Sequence, residues 1–139
     1  MNMRKIPVIL DADTGIDDTM ALLICATSSK LDVLAAVSTF GNTTIDYATQ
    51  NTMDVLALCG RQDIAVGMGA DRPWKKKLRT SPYIHGVNGI GEYQMPEHHR
   101  EALSPLPAWD LAYEKIMACP EKVTYVALGS LTNVANLFC

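Results

Sequence analysis

Short apolar runs alternate with helix-patterned stretches along the whole chain, and few folds accommodate that alternation. Ile6-Pro-Val-Ile-Leu10, Leu31 to Thr39, Ile64 to Val66 and Val123 to Leu128 are apolar and too short for buried helices. Each reads as a buried strand. Met20 to Ala26 carries a helical pattern, with Asp17 and Asp18 at its start, where acids favour the positive end of the helix dipole. Asp46 to Leu58 carries another, stopped by Gly60. Trp109 to Ala118, ended by Pro120, and Leu131 to Phe138, opened by Gly129-Ser130, read as two more helices. Strands alternating with helices imply an α/β fold: an open, mostly parallel sheet with crossover helices. Such sheets bind ligands at the carboxyl ends of their strands. The loops Asp11–Asp18, Thr39–Thr44 and Leu128–Asn133 therefore become candidates.

Gly67 to Ala108 breaks the pattern. It holds five of the seven prolines and all three histidines, and a loop-rich stretch of this length inside a domain is usually functional or mobile. Its one basic run, Lys75-Lys76-Lys77 flanked by Arg72 and Arg79, reads as a solvated face rather than a nucleic-acid patch, because the chain as a whole carries a net charge of −3. His98-His99 reads as a surface pair. The four cysteines lack metal-ligand spacing and read as free thiols in a reducing compartment. The apolar run after Met1-Asn2-Met3-Arg4-Lys5 is too short for a signal peptide, and no run approaches the roughly 20 residues that span a bilayer. These points lead to the expectation of a cytoplasmic protein without membrane or nucleic-acid partners.

Asp11-Ala-Asp13-Thr-Gly15-Ile-Asp17-Asp18 concentrates four carboxylates at the end of the first strand. Residues two apart on an extended chain share a side, so Asp11 and Asp13 are expected to face the same way. A turn at Gly15 can bring Asp17 and Asp18 back toward Asp13. Two carboxylates ~5 Å apart repel by on the order of 3 kcal/mol at an effective dielectric near ~20. Protons, helix dipoles or a cation must offset that repulsion. An oxygen-only cluster in an irregular loop suits Ca²⁺ better than Mg²⁺, which demands a near-ideal octahedron. A purely structural reading makes Asp17 an N-cap and Asp18 a first-turn acid, which accounts for two of the four acids.

Two other acidic motifs compete. An EF-hand loop counted from Asp11 needs Glu at its twelfth position, where Leu22 stands, and it would follow a helix rather than a strand. Phosphatases of the haloacid dehalogenase type also carry D-x-D after a first strand, with the first aspartate as nucleophile. In this chain Gly15 stands where they have Thr or Val, and Asp17-Asp18 has no place in their motif. That reading, with Asp11 as nucleophile and Asp13 as acid, is the runner-up. A non-catalytic truncated remnant is the third.

The string Asp11-x-Asp13-x-Gly15-x-Asp17-Asp18, following a first strand and opening a helix, resembles the N-terminal signature of the inosine-uridine preferring nucleoside hydrolases. Three further segments agree in order: Thr39-Phe-Gly41-Asn42-Thr43, His85-Gly86-Val-Asn88-Gly89-Ile-Gly91, and Leu128-Gly129-Ser130-Leu131-Thr132-Asn133. Thr14 and Ser130 stand where the family commonly has proline, and Asn88 where it has Asp.

The resemblance implies a Rossmann-like nucleoside hydrolase fold, with residues 1–139 as the N-terminal part of a single domain whose C-terminal half is absent. It implies hydrolysis of the N-glycosidic bond of a ribonucleoside through a Ca²⁺-bound water. Asp13 would be both Ca²⁺ ligand and general base. Asp18 and the backbone carbonyl of Leu128 would complete this chain's share of the metal site, with Asp11 orienting its neighbours from behind. Asp17, Asn42 and His85 would contact the nucleoside. Family members are about twice this long and commonly form dimers or tetramers. Their C-terminal half supplies a further aspartate and the leaving-group site, so the 139 residues alone are expected to be inactive or nearly so.

Overall fold

The computed structural model describes residues 4–139. Four strands, β1 (Ile6–Ala12), β2 (Leu31–Ser38), β3 (Val66–Gly67) and β4 (Thr124–Ala127), form one sheet in the order β3-β2-β1-β4. Every pairing is parallel. The helices are α1 (Ile16–Thr27), α2 (Ile45–Leu58), α3 (Pro82–His85), α4 (Ala108–Ala118) and α5 (Thr132–Phe138). The parallel sheet and its crossover helices are those expected from the alternating pattern. None of the helices is long and apolar enough to cross a membrane among the described residues.

The central strand shows why this sequence folds this way. Strand side chains alternate between faces. Val8 and Leu10 pack with Leu22 and Ala26 of α1 and with Met53, Val55 and Leu56 of α2. Ile9 points the other way, toward Ala108, Leu111 and Ala112 of α4. Ile9 is fully buried and Leu10 nearly so, and burying each side chain contributes roughly 1.5–3 kcal/mol. Both faces are thus covered, and the strand reads as an unbroken apolar run.

Parallel register aligns the strand ends. Asp11 pairs with Val37 on one side and Ala127 on the other, and Val37 pairs with Gly67. The loops that follow β1, β2 and β4 therefore leave the sheet at the same edge. These are the three loops singled out above.

Two details differ from the expectations. The third strand sits at Val66–Gly67 rather than at 64–66. Ile64 remains buried, but only Val66 and Gly67 reach the β2 ladder. The loop-rich stretch also contains α3, a single turn begun by Pro82. Proline suits the first helical position, but one turn is too short to leave a periodic signal.

Candidate active site

Asp13 lies one residue past the end of β1 and is 7% exposed. Its carboxylate accepts the backbone N–H of Asn42 at 2.7 Å. A side chain at Gly41 would run into that carboxylate, so only glycine lets the β2–α2 turn come this close. From the other side, the backbone of Gly129 packs against Asp13. The peptides after β2 and β4 thus wrap the aspartate, with Leu128–Gly129 beside it.

Asp18, in the first turn of α1, is 5% exposed. Its Oδ2 has no hydrogen-bond partner. Burial drives its pKa up to about 7, helped by a carboxyl-to-carboxyl contact with Asp13 and by the charges of Asp13 and Asp17; the Gly15 N–H pulls the other way. Two buried carboxyls in contact, one of them with an unpartnered oxygen, are costly unless a proton or cation offsets their charge. Oxygen donors of this kind match a hard divalent ion. Among the described residues no three His, Cys, Asp or Glu side chains converge on one point. The pair therefore fits a cation only when main-chain or external oxygens join it.

Asp17 and Asp11 depart from the four-carboxylate cluster. Asp17 is exposed as the second residue of α1, and the N-cap position belongs to Gly15. The turn thus draws Asp18 inward and leaves Asp17 facing solvent near the site. Asp11 belongs to β1 and shares the parity of Ile9, so it faces the α4 side, whereas Asp13 has left the strand and turns toward Asn42 and Asp18. The expectation that the two would share a side fails because the extended geometry ends at Ala12.

Asp11 is completely buried. Its Oδ2 accepts the Tyr125 hydroxyl at 2.6 Å and its Oδ1 accepts the Asn133 amide at 3.1 Å. Burial lifts its pKa to about 6 against the lowering effect of both donors. Burial and the Asp11 charge also raise the Tyr125 pKa, which keeps that hydroxyl a donor. A carboxylate enclosed in this way cannot attack a phosphoryl group, which removes the phosphatase reading. Asp11 instead ties β1 to β4 and α5 through these two bonds.

Asn42 and His85 come together at the start of α1, where both side chains lie against Gly15. His85 closes α3 and accepts the Ile16 N–H at Nδ1, 3.4 Å away. Residues 43 positions apart in sequence thus border the same loop. Leu128 is 44% exposed, and its N–H donates to the Asp11 carbonyl at 2.8 Å.

Periodicity could not reveal several supporting residues. Asn133 donates to the Ser38 carbonyl at 2.8 Å as well as to Asp11, and its oxygen accepts the Ala70 N–H at 2.9 Å. It therefore ties β1, β2 and the β3–α3 loop together. Thr14 and Ser130, in the two proline positions, are used differently. Thr52 donates to the Ala48 carbonyl, so the Thr14 hydroxyl donates to Thr52 across 2.7 Å. Ser130 pairs with Thr39 at 2.7 Å. Hydrogen bonds across loops hold turns here that ring stiffness holds elsewhere.

The model of the family described as inosine-uridine preferring nucleoside hydrolase matches residues 8–139. Probable uridine nucleosidase 2 of Arabidopsis thaliana is 35% identical over 130 residues, covering 92% of this chain and 40% of that protein. The non-specific ribonucleoside hydrolase RihC of Klebsiella pneumoniae is 33% identical, covering 96% of this chain and 43% of its own length. The plant nucleoside hydrolase PpNRh1 superposes with a TM-score of 0.87 at 34% identity, over 96% of this chain and 42% of that one. The chain thus spans about 40% of the length of the curated relatives it matches. With fold, motif order and residue match in agreement, this chain belongs to the inosine-uridine preferring nucleoside hydrolase family.

Proposed function

We propose that the protein carrying this chain hydrolyses the N-glycosidic bond of ribonucleosides, releasing ribose and free base. The observation that carries this reading is the buried Asp13–Asp18 pair, in carboxyl-to-carboxyl contact and with one Asp18 oxygen left without a hydrogen-bond partner. Asp13, Asp18 and the Leu128 carbonyl are this chain's ligands for Ca²⁺. A bound Ca²⁺ would supply positive charge that offsets the paired carboxylates, orients vicinal hydroxyls and acidifies water.

The remaining chemistry belongs to the side chains. Asp13 takes the proton of the attacking water, and its bond to the Asn42 N–H holds it in position. Cleavage of the ribosyl C–N bond builds positive charge on the sugar, and the carboxylates around it stabilise that charge in a partly dry site. Asp17 and Asn42 bind the ribose hydroxyls. His85 lies at the rim, toward the base or the 5′ end. Asp11, held by Tyr125 and Asn133, acts through the backbone it anchors. The group that protonates the leaving base lies outside these residues, and a dimer or tetramer is the working form.

Release of ribose from uridine and from inosine tests the reading, followed as reducing sugar with the complete protein in calcium. Turnover of either nucleoside, abolished by Asp13→Asn, is the expected result. Failure to cleave any ribonucleoside by a folded, calcium-loaded protein would overturn it.

A further inference from the structure

The segment that carries His85 is fastened to the candidate site by a residue that the mechanism above does not use. Residues 85–93 form a cross-linked loop. The Gly91 N–H donates to the His85 carbonyl at 2.6 Å, and the Glu92 carboxylate accepts the Val87 N–H. Asn88 Oδ1 accepts the N–H groups of Ile90 and Glu92 at 3.1 and 3.0 Å, and its Nδ2 donates to the Tyr93 carbonyl at 2.9 Å. Bonded in this way, the loop holds together as one piece.

The His85 ring has a weak hold of its own. Its bond from the Ile16 N–H is 3.4 Å long, beyond the usual range for a nitrogen donor. Its place beside the Asp13–Asp18 loop is therefore set by what tethers the segment behind it. Two side chains do this. The Thr43 hydroxyl donates to the Val87 carbonyl at 2.7 Å. Asn51, in the second turn of α2 and 4% exposed, donates through Nδ2 to the Asn88 carbonyl at 2.8 Å and to the Thr14 carbonyl at 3.2 Å. Thr14 stands between Asp13 and Gly15, and its own hydroxyl is already held by Thr52. A primary amide carries two N–H donors on one nitrogen, and here one goes to each loop. Gly89, at φ +83°, lets the segment settle onto this tether, since a β-carbon there would meet Thr43 at 2.8 Å.

We propose that Asn51 is a positioning residue for nucleoside binding: it braces the His85 loop against the Asp13–Gly15 loop and so sets where the imidazole meets the substrate. This rests on the nucleoside reading, in which His85 contacts the nucleoside. Loss of the Asn51 amide releases both carbonyls at once, and the effect reaches the substrate through His85.

Uridine hydrolysis by the complete protein tests this in a double-mutant cycle of Asn51→Ala and His85→Ala. The expected result is a KM raised about tenfold by Asn51→Ala, with kcat changed by less than about threefold. Adding Asn51→Ala to His85→Ala should raise KM no further. An unchanged KM overturns the proposal. So does the same rise in both backgrounds, which is what a general loss of packing would give. Thr43→Val removes the other tether with little change of shape, and it carries the cycle if Asn51→Ala does not fold. A KM rise that depends on His85 is again expected, and one that does not again overturns the proposal. Proton NMR of the histidine rings separates the brace from the hydrolase reading. The His85 signal, assigned by its loss in His85→Ala, shifts in the tether variant if the brace exists, and an unmoved signal removes it. A shifted signal in a folded protein that cleaves no ribonucleoside removes the hydrolase reading and leaves the brace. Uridine cleaved with independent losses removes the brace alone.

Discussion

Asp11 and Asp18 are both buried carboxylates at the same edge of the sheet, yet their surroundings differ in kind. On the β4–α5 side, Asp11 accepts a hydroxyl and an amide, and Asn133 continues the network into β2 and the loop after β3. On the α1 side, Asp18 keeps an oxygen with no partner and shares its space with Asp13. A satisfied buried network rigidifies a fold, whereas an unsatisfied group lowers its stability. The first region is built to be finished on its own. The second keeps an unpaired carboxylate oxygen, which the proposed cation would complete. The contrast locates the chemistry more sharply than the count of aspartates does.

The largest expected effect separates the two regions by activity. Asp13→Asn lowers kcat/KM for uridine by about 10³-fold in the complete protein, while Tyr125→Phe leaves it within about tenfold. Equal losses in the two variants, measured as initial rates, would erase the distinction.

Proton linkage comes next. Asp11 and Asp18 both have raised folded-state pKa values, about 6 and about 7. Below pH ~4 each is protonated in folded and unfolded chains alike. As pH rises, the unfolded chain ionises first, so stability falls until pH passes the folded values. Without calcium, the unfolding free energy from denaturant titration should drop between about pH 4 and 7, by on the order of a few kcal/mol in total. Asp18→Asn should flatten much of that slope and raise the stability of the metal-free protein at neutral pH. An unchanged slope in this variant would mean that Asp18 is not the strained group.

Removal of the Asn133 side chain tests the finished region. Asn133→Ala strands the Ser38 carbonyl, the Ala70 N–H and one Asp11 oxygen in a site that is 0% exposed. A loss of about 3 kcal/mol is expected in denaturant unfolding. Tyr125→Phe removes a single hydrogen bond to Asp11 and should cost about 1 kcal/mol. A Tyr125→Phe loss larger than that of Asn133→Ala would invert the ranking of the two donors.

Much of this was legible in the sequence because it depends on local pattern. The apolar runs that become β1 and β2 needed only burial on two faces, whereas β4, read as a buried strand, is a half-exposed edge strand. Asn42 and His85 were marked by motif order, and the structure brings both to Gly15. The direction of Asp13 relative to Asp11 was not legible, because it depends on the strand stopping at Ala12 and not two residues later. Asn133 and Tyr125 were hidden for another reason. Their partners lie 63 or more positions away, and long-range polar bonds leave no periodicity. Thr14 and Ser130 looked like mere losses of proline until their hydroxyl partners, Thr52 and Thr39, were in view.

The most direct test of the unfinished site is a calcium titration by calorimetry on the complete protein and on its Asp18→Ala variant. One calcium bound per chain, lost in Asp18→Ala while the variant keeps its fold, is the predicted result. Calcium bound equally by both proteins, or by neither when both are folded, would contradict the assignment of the Asp13–Asp18 pair as a cation site.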